Sequence, residues 1–143
     1  MTSKALVLDA NILIRAVFGQ RVRSLIHDYA GDVSFYVAEQ NVSEAEHYIA
    51  VLAKHRGLAL DVCQDTFGTT LSLVGTITAD SIDDLKGVAL ARIQGKDPND
   101  WPTLATAMRL DCPIWTEDKD FFGTGVAVWT TETVEIYLRS QIN

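Results

Sequence analysis

The chain has 143 residues, 48% of them hydrophobic and 22% charged, which is typical of one ordinary folded domain with a full core. We therefore expect residues 1–143 to form a single domain. The net charge of −7 counts against broad nonspecific binding to nucleic acid, which normally needs a basic surface, unless bound cations cancel part of that charge.

Membrane insertion is not expected from the hydropathy of the chain. The apolar N-terminal stretch is interrupted by Asp9, Asn11 and Arg15, so we expect neither a signal peptide nor a membrane anchor. Cys63 and Cys112 have no metal-ligand spacing, and we interpret them as reduced, buried thiols. Together these features favour a cytoplasmic protein.

Short apolar runs alternate with helix-like stretches along the chain. The run at 5–8 is continuously apolar, as expected of a strand that is covered on both faces. Because strands and helices alternate, we predict a three-layer α/β/α sandwich with a mostly parallel central sheet. The predicted strands are 5–8, 33–38, 113–116 and 126–130, and the predicted helices are 11–18, 21–30, 41–56, 81–94, 101–110 and 131–140.

Several residues mark the expected ends of helices. Gly57 predicts the end of the helix at 41–56, and Ser81 is a candidate N-cap for the helix at 81–94. Ser43 and Glu46 fit the capping-box pattern. The segment 63–78 stays ambiguous, because a glycine and several threonines weaken its helical pattern.

Four acidic residues are the candidates for chemistry. Asp9 and Asp118 each follow a predicted strand, and ligand sites in parallel sheets lie beyond the carboxyl ends of the strands. Asp100 precedes Pro102 and is a natural helix N-cap, a role compatible with metal binding because a carboxylate has two oxygens. Glu44 and Glu46 both flank the apolar stripe of their helix, so periodicity does not choose between them.

A cluster of carboxylates has a simple electrostatic consequence. Carboxylates that share a pocket repel one another, and a divalent cation relieves that repulsion. Oxygen ligands suit Mg²⁺ or Mn²⁺ better than zinc, and such ions support hydrolysis at phosphate esters. Four further residues are accessory candidates that could orient a carboxylate, cap a turn or bind a phosphate: Asn11, Asp97, Thr116 and Asp120.

Four segments in this order resemble the PIN domain, the nuclease fold of many VapC-type toxins of bacterial toxin–antitoxin systems. They are Leu8-Asp9-Ala10-Asn11-Ile12-Leu13-Ile14, Val42-Ser43-Glu44, Asp97-Pro98-Asn99-Asp100-Trp101-Pro102 with the following Leu104-Ala105-Thr106-Ala107, and Thr116-Glu117-Asp118-Lys119-Asp120-Phe121.

The resemblance implies a Mg²⁺- or Mn²⁺-dependent endoribonuclease. Its catalytic acids would be Asp9, Glu44, Asp100 and Asp118, with the three aspartates as metal ligands. Asp97 and Asp120 would be accessory. RNA is then the expected substrate, an antitoxin protein a candidate partner, and a homodimer a candidate assembly.

Other functions stay open at this point. A haloacid dehalogenase-type phosphatase would use Asp9 as a nucleophile, but it wants Asp-x-Asp and position 11 is Asn. A receiver-like signalling domain would want adjacent acids after the first strand, where Asp9 stands alone. A non-catalytic RNA- or protein-binding module that keeps the same fold is a third alternative.

Overall fold

The computed structural model describes residues 4–140, in which strands and helices alternate over most of the range. The strands are β1 (Lys4–Leu8), β2 (Val33–Ala38), β3 (Val74–Ile77), β4 (Ile114–Trp115) and β5 (Val128–Trp129). The helices are α1 (Ala10–Phe18), α2 (Gln20–Tyr29), α3 (Glu39–His55), α4 (Leu60–Leu71), α5 (Ala79–Ile82), α6 (Lys86–Arg92), α7 (Trp101–Leu110) and α8 (Val134–Arg139). Short 3-10 turns lie at Asp83–Leu85, Pro98–Asp100 and Lys119–Phe121.

The five strands form one parallel sheet in the order β3-β2-β1-β4-β5. Strand β1 is central, and successive side chains point to opposite faces. Leu6 and Leu8 belong to one hydrophobic core and Val7 to another, and all three are fully buried. Burial on both faces explains why β1 reads as a continuous apolar run.

Helices cover both faces of the sheet. Helices α1 to α4 and α8 contribute to the core that contains Phe35 and Trp115. Helices α5 to α7 contribute to the opposite core, which contains Ile82 and Leu104. The predicted three-layer α/β/α sandwich with a parallel sheet is therefore confirmed.

Most of the predicted elements are present with shifted ends. The strands at 5–8 and 33–38 are confirmed within one residue, and the helix at 101–110 is α7. The strands expected at 113–116 and 126–130 are shorter, with two residues each in β4 and β5. The ambiguous segment 63–78 holds most of α4 and the edge strand β3, which the sequence pattern did not identify.

The helix caps predicted at Ser81 and at Ser43 with Glu46 are wrong. Ser81 lies inside α5 and its hydroxyl donates to the Thr78 carbonyl at 2.7 Å, and the helix expected at 81–94 is α5, a 3-10 turn and α6. Ser43 and Glu46 lie inside α3, which begins at Glu39, so they form no capping box. The predicted helix stop is confirmed, because Gly57 follows α3 with a φ of +67° that favours glycine.

None of the helices within residues 4–140 has the length and apolar character that crossing a bilayer requires.

Candidate metal centre

The predicted acids meet at the carboxyl edge of the sheet, where β1 separates β2 from β4. Asp9 follows β1, and its backbone N–H donates to the Trp115 carbonyl at 3.1 Å, which fixes the end of β1 against β4. Asp118 follows β4, and Asp100 ends the 3-10 turn before α7. Neighbouring strands whose connections run in opposite directions leave a crevice at this edge, and ligands bind there in open α/β sheets.

Asp9 is held rigidly and is only 5% exposed. Its carboxylate accepts hydrogen bonds from the Ala10 N–H at 2.8 Å, the Asn11 side-chain amide at 2.9 Å and the Thr116 hydroxyl at 2.7 Å. Burial raises the pKa of Asp9, and the bonds from Thr116 and Ala10 oppose that rise. Asp9 therefore caps α1 and faces the acidic centre at the same time.

Two further residues touch Asp9 that the sequence analysis missed. The Asn41 side-chain amide and the Thr103 hydroxyl each lie 3.4 Å from Asp9 Oδ1, and both residues are buried. Asn41 has one signal in the sequence, since it precedes Glu44 by three positions and so shares a helix face with it. Thr103 has no such signal, because it meets Asp9 only through the fold.

Asp118 is linked to Asp9 through Thr116. The Asp118 N–H donates to the Thr116 hydroxyl oxygen at 2.9 Å, and that hydroxyl donates to Asp9. Carboxylate oxygens of Asp100, Asp118 and Asp120 all lie within 4.8 Å of one another. Asp120, expected to be only accessory, is thus one of the three grouped acids, while Asp9, expected to be a metal ligand, is not in this group.

Asp100 does not act as the N-cap that its position before Pro102 predicts. Its side chain accepts no hydrogen bond from α7, while Asp97 accepts one from the Asn99 N–H at 3.0 Å and caps the preceding 3-10 turn. The Oδ2 atom of Asp100 is buried without a hydrogen-bond partner. Burial, followed by the charges of Asp9, Asp118 and Asp97, raises the pKa of Asp100 to about 8.

Glu44 and Glu46 differ in their surroundings. Both residues are exposed, but partial burial of the Glu44 carboxyl group, followed by the charges of Asp9 and Asp97, raises the pKa of Glu44. We therefore propose Glu44, and not Glu46, as the acid that α3 contributes.

The donor atoms at this centre fit a divalent cation that prefers oxygen. The cluster consists of carboxylates, and within residues 4–140 no histidine or cysteine belongs to it. A buried oxygen normally accepts a hydrogen bond, but Asp100 Oδ2 accepts none. A bound cation would satisfy this oxygen. Such a set suits Mg²⁺ or Mn²⁺ better than Zn²⁺.

The raised pKa of Asp100 gives a pH dependence to the stability of the metal-free protein. The folded state binds this proton more tightly than the unfolded chain, whose carboxyl group titrates near 3.8. The free energy of unfolding should therefore fall as pH rises from about 4 to about 8, and then level off. A free energy of unfolding that rises with pH in this window would contradict a raised pKa at Asp100.

Melting temperatures in EDTA between about pH 5 and 8.5 measure this slope. The variant Asp100→Asn should flatten it, because the amide does not titrate. Asp32→Asn is the matched control, since Asp32 is exposed and lies away from the cluster, and its slope should equal that of the parent.

Comparison with known proteins assigns the fold. The sequence model of the PIN domain family matches residues 7–139, nearly the whole chain. The chain belongs to the PIN domain family. None of the curated protein sequences matches it.

Solved structures share this PIN fold at low sequence identity. PAE2754 from Pyrobaculum aerophilum is similar with a TM-score of 0.70 at 16% identity, covering 97% of this chain and 91% of its own. A chain of VapBC2 from Rickettsia felis, bound to a promoter DNA fragment, has a TM-score of 0.70 at 12% identity, covering 88% and 98%. A chain of a toxin–antitoxin complex from Klebsiella pneumoniae has a TM-score of 0.64 at 23% identity, covering 88% and 97%.

Proposed function

We propose that this PIN domain is a Mg²⁺- or Mn²⁺-dependent endoribonuclease that hydrolyses phosphodiester bonds of RNA at the acidic centre. The observation that carries the proposal is the buried, unpartnered Asp100 Oδ2 beside the carboxylates of Asp118 and Asp120. An arrangement that costs stability in the absence of a cation is typical of a functional site and not of a structural one.

Asp9, Asp100 and Asp118 would hold the cation, with Asp120 close enough to share it. When bound, Mg²⁺ or Mn²⁺ supplies Lewis-acid stabilisation of charge on the phosphate and makes water a better nucleophile. Asn11 and Thr116 position this set, because both donate to Asp9 Oδ2. Asp97 caps the turn that presents Asp100.

Glu44 is suited to accept a proton from the attacking water. Its raised pKa makes it a stronger base than an ordinary glutamate, and its exposure leaves it open to the substrate. Asp9, whose charge contributes to that raised pKa, is also one of the acids that would hold the cation.

The contacts of Asp9 count against the phosphatase alternative. An aspartate nucleophile must reach the phosphorus of its substrate in line, yet hydrogen bonds from the Ala10 N–H, Asn11 and Thr116 hold the Asp9 carboxylate in place. The residue is also almost fully buried. We therefore assign Asp9 a structural and metal-holding role and not a covalent one.

A protein partner that restrains the nuclease, as an antitoxin would, is a second part of the proposal. Large apolar side chains are about half exposed on α3, α4 and the loop between them, and such surfaces mark protein interaction sites. A small basic or DNA-binding protein encoded by the adjacent gene, with which this chain copurifies, would support this part; no complex between the two would contradict it. The exposed side chains are Tyr48, Val51, Leu58, Leu60 and Val62.

Incubation of single-stranded RNA with the purified protein tests the nuclease proposal. We expect internal cleavage in Mn²⁺ or Mg²⁺ and none in EDTA. Intact RNA in the presence of both metals, or cleavage that EDTA leaves unchanged, would contradict the proposal.

A pair of glutamate variants tests the role of α3 in the same assay. Glu44→Gln should lower the cleavage rate by roughly 100-fold or more, in the range general acid–base catalysis contributes. Glu46→Gln, two positions along the same helix, should cleave at the parent rate. Equal losses in both variants, or a loss in Glu46→Gln alone, would mean that the helix acid is wrongly assigned.

A further inference from the structure

Three arginines converge on one groove of the surface. A groove of about 520 Å³ between α1, α2 and the end of α3 is lined by Arg15, Arg21 and Arg56, with Phe18 and Thr131 among its walls. A second depression of about 410 Å³ shares Arg15, Arg21 and Thr131. The shared residues make the two depressions one continuous path.

One end of this path lies close to the residues that hold Asp9. The second depression is also lined by Glu117, whose backbone N–H donates to Asn11 Oδ1 at 3.3 Å, and Asn11 in turn donates to Asp9. Arg15 lies four positions after Asn11 on α1 and so shares its helix face. Arg15 follows Asp9 by six positions, roughly 9 Å along the helix axis.

Two of the three guanidinium groups lack an acidic partner within the described part of the chain. The Arg15 guanidinium has no hydrogen bond or ion pair there, and the Arg56 guanidinium only stacks over the Phe18 ring, 4.9 Å from its centroid. Arg21 is paired with Glu135 at 3.0 Å. Unpaired arginines in a groove are notable in a chain with a net charge of −7.

Two glutamates line the second depression and oppose this positive charge. Glu117 Oε2 accepts from both the N–H and the hydroxyl of Thr131, at 2.7 and 2.6 Å, which partly satisfies its carboxylate. Glu132 is exposed. The basic end of the path is therefore the end that holds Arg56, away from the acids.

We propose that Arg15 and Arg56 bind backbone phosphates of a single RNA strand that extends along this path from the bond that is cleaved. The inference rests on the proposed nuclease function and adds the path of the substrate. Guanidinium groups match the geometry of phosphate oxygens, and a positively charged groove that follows a backbone is typical of single-strand binding. Proximity to the acidic centre favours RNA over an acidic segment of a protein as the occupant.

Binding of a fluorescein-labelled, mixed-sequence, single-stranded RNA oligonucleotide tests the proposal by anisotropy in EDTA, where the proposed reaction does not occur. Arg15→Gln and Arg56→Gln should each weaken binding by about threefold to tenfold, as expected for a lost charge-assisted hydrogen bond at an exposed site. Each should also reduce the slope of log Kd against log salt by about 0.7 between about 50 and 200 mM. Arg92→Gln is the matched control, because Arg92 is an exposed arginine that lines a different cavity.

The possible outcomes distinguish RNA binding in the groove from the proposed nuclease activity. Affinities of Arg15→Gln and Arg56→Gln equal to that of Arg92→Gln would overturn the proposal, even if the parent cleaves RNA. A labelled polyglutamate peptide serves as the probe for an acidic protein segment. If Arg15→Gln and Arg56→Gln lose binding of this peptide but bind RNA as the parent does, the proposal is overturned in favour of a protein partner. Arginine-dependent RNA binding by a protein that cleaves no RNA in Mn²⁺ would support the groove and contradict the nuclease.

Discussion

Asp118→Asn should greatly lower RNA cleavage and at the same time raise the melting temperature of the metal-free protein above about pH 8, the pKa of Asp100. The substitution removes one of three carboxylates whose oxygens lie within 4.8 Å of one another, so it removes repulsion that the folded state alone experiences. The asparagine oxygen can still accept the Asp120 N–H, which Asp118 Oδ1 accepts at 2.9 Å, so the local turn is kept. Cleavage should fall by at least roughly 100-fold, because disturbing only the partners of metal ligands already costs 10- to 100-fold.

Thermal melts in EDTA and cleavage assays in Mn²⁺ measure the two effects on the same preparation. Asp32→Asn is again the control, and it should change neither quantity. A variant of Asp118 that is inactive because it melts at a lower temperature than the parent would mean that Asp118 is structural. Full activity in a stable Asp118→Asn protein would mean that Asp118 is not part of the catalytic site.

Asp9→Asn is a less informative variant, although Asp9 is the more conspicuous residue in the sequence. Asp9 Oδ2 accepts hydrogen bonds from both Asn11 and Thr116, and an amide nitrogen at that position would face the donor of Asn11. An unsatisfied buried group of this kind costs about 1–3 kcal/mol, which would obscure the relief of repulsion.

Mn²⁺ should stabilise the parent protein by mass action. An ion that binds the folded state alone adds about 2.7 kcal/mol at a concentration one hundred times its dissociation constant. For a chain of this size the melting temperature should rise by roughly 5–10 °C. The binding is favourable because the cation compensates both the burial and the neighbouring negative charges that raise the pKa of Asp100.

Calorimetric scans over a series of Mn²⁺ concentrations measure the shift. Asp118→Asn should respond less than the parent at every concentration, while Glu46→Gln should respond as the parent does. A melting temperature that Mn²⁺ leaves unchanged in the parent would contradict metal binding at this centre.

The central part of the fold and the position of the site were predictable because they follow from strong local signals. Residues 5–8 of strand β1 form an uninterrupted apolar run that is followed by the charged Asp9, and burial on both faces of a parallel sheet produces such a run. Asp9 and Asp118 follow strands β1 and β4, which are hydrogen-bonded neighbours. Residues that follow neighbouring parallel strands lie at the same edge of the sheet, so their proximity can be predicted from the sequence.

Other features depend on packing that the sequence does not display. Strand β3 contains Gly75 and Thr76, lies at the edge of the sheet, and follows a threonine-rich helix, so no periodicity marks it. Thr103 touches Asp9 across 94 positions of sequence. Asp100 was predicted to cap α7, but the 3-10 turn before the helix gives the capping role to Asp97 and leaves the Asp100 carboxyl group facing the other acids.

Anomalous diffraction from crystals soaked in Mn²⁺ tests most directly whether these acids form one metal site. The account predicts an anomalous peak with carboxylate oxygens of Asp9, Asp100 and Asp118 at about 2.0–2.6 Å, the range for oxygen ligands of hard divalent cations. The peak should be lost in Asp118→Asn crystals. A map with no peak among these aspartates, from a protein that still cleaves RNA in Mn²⁺, would contradict the account.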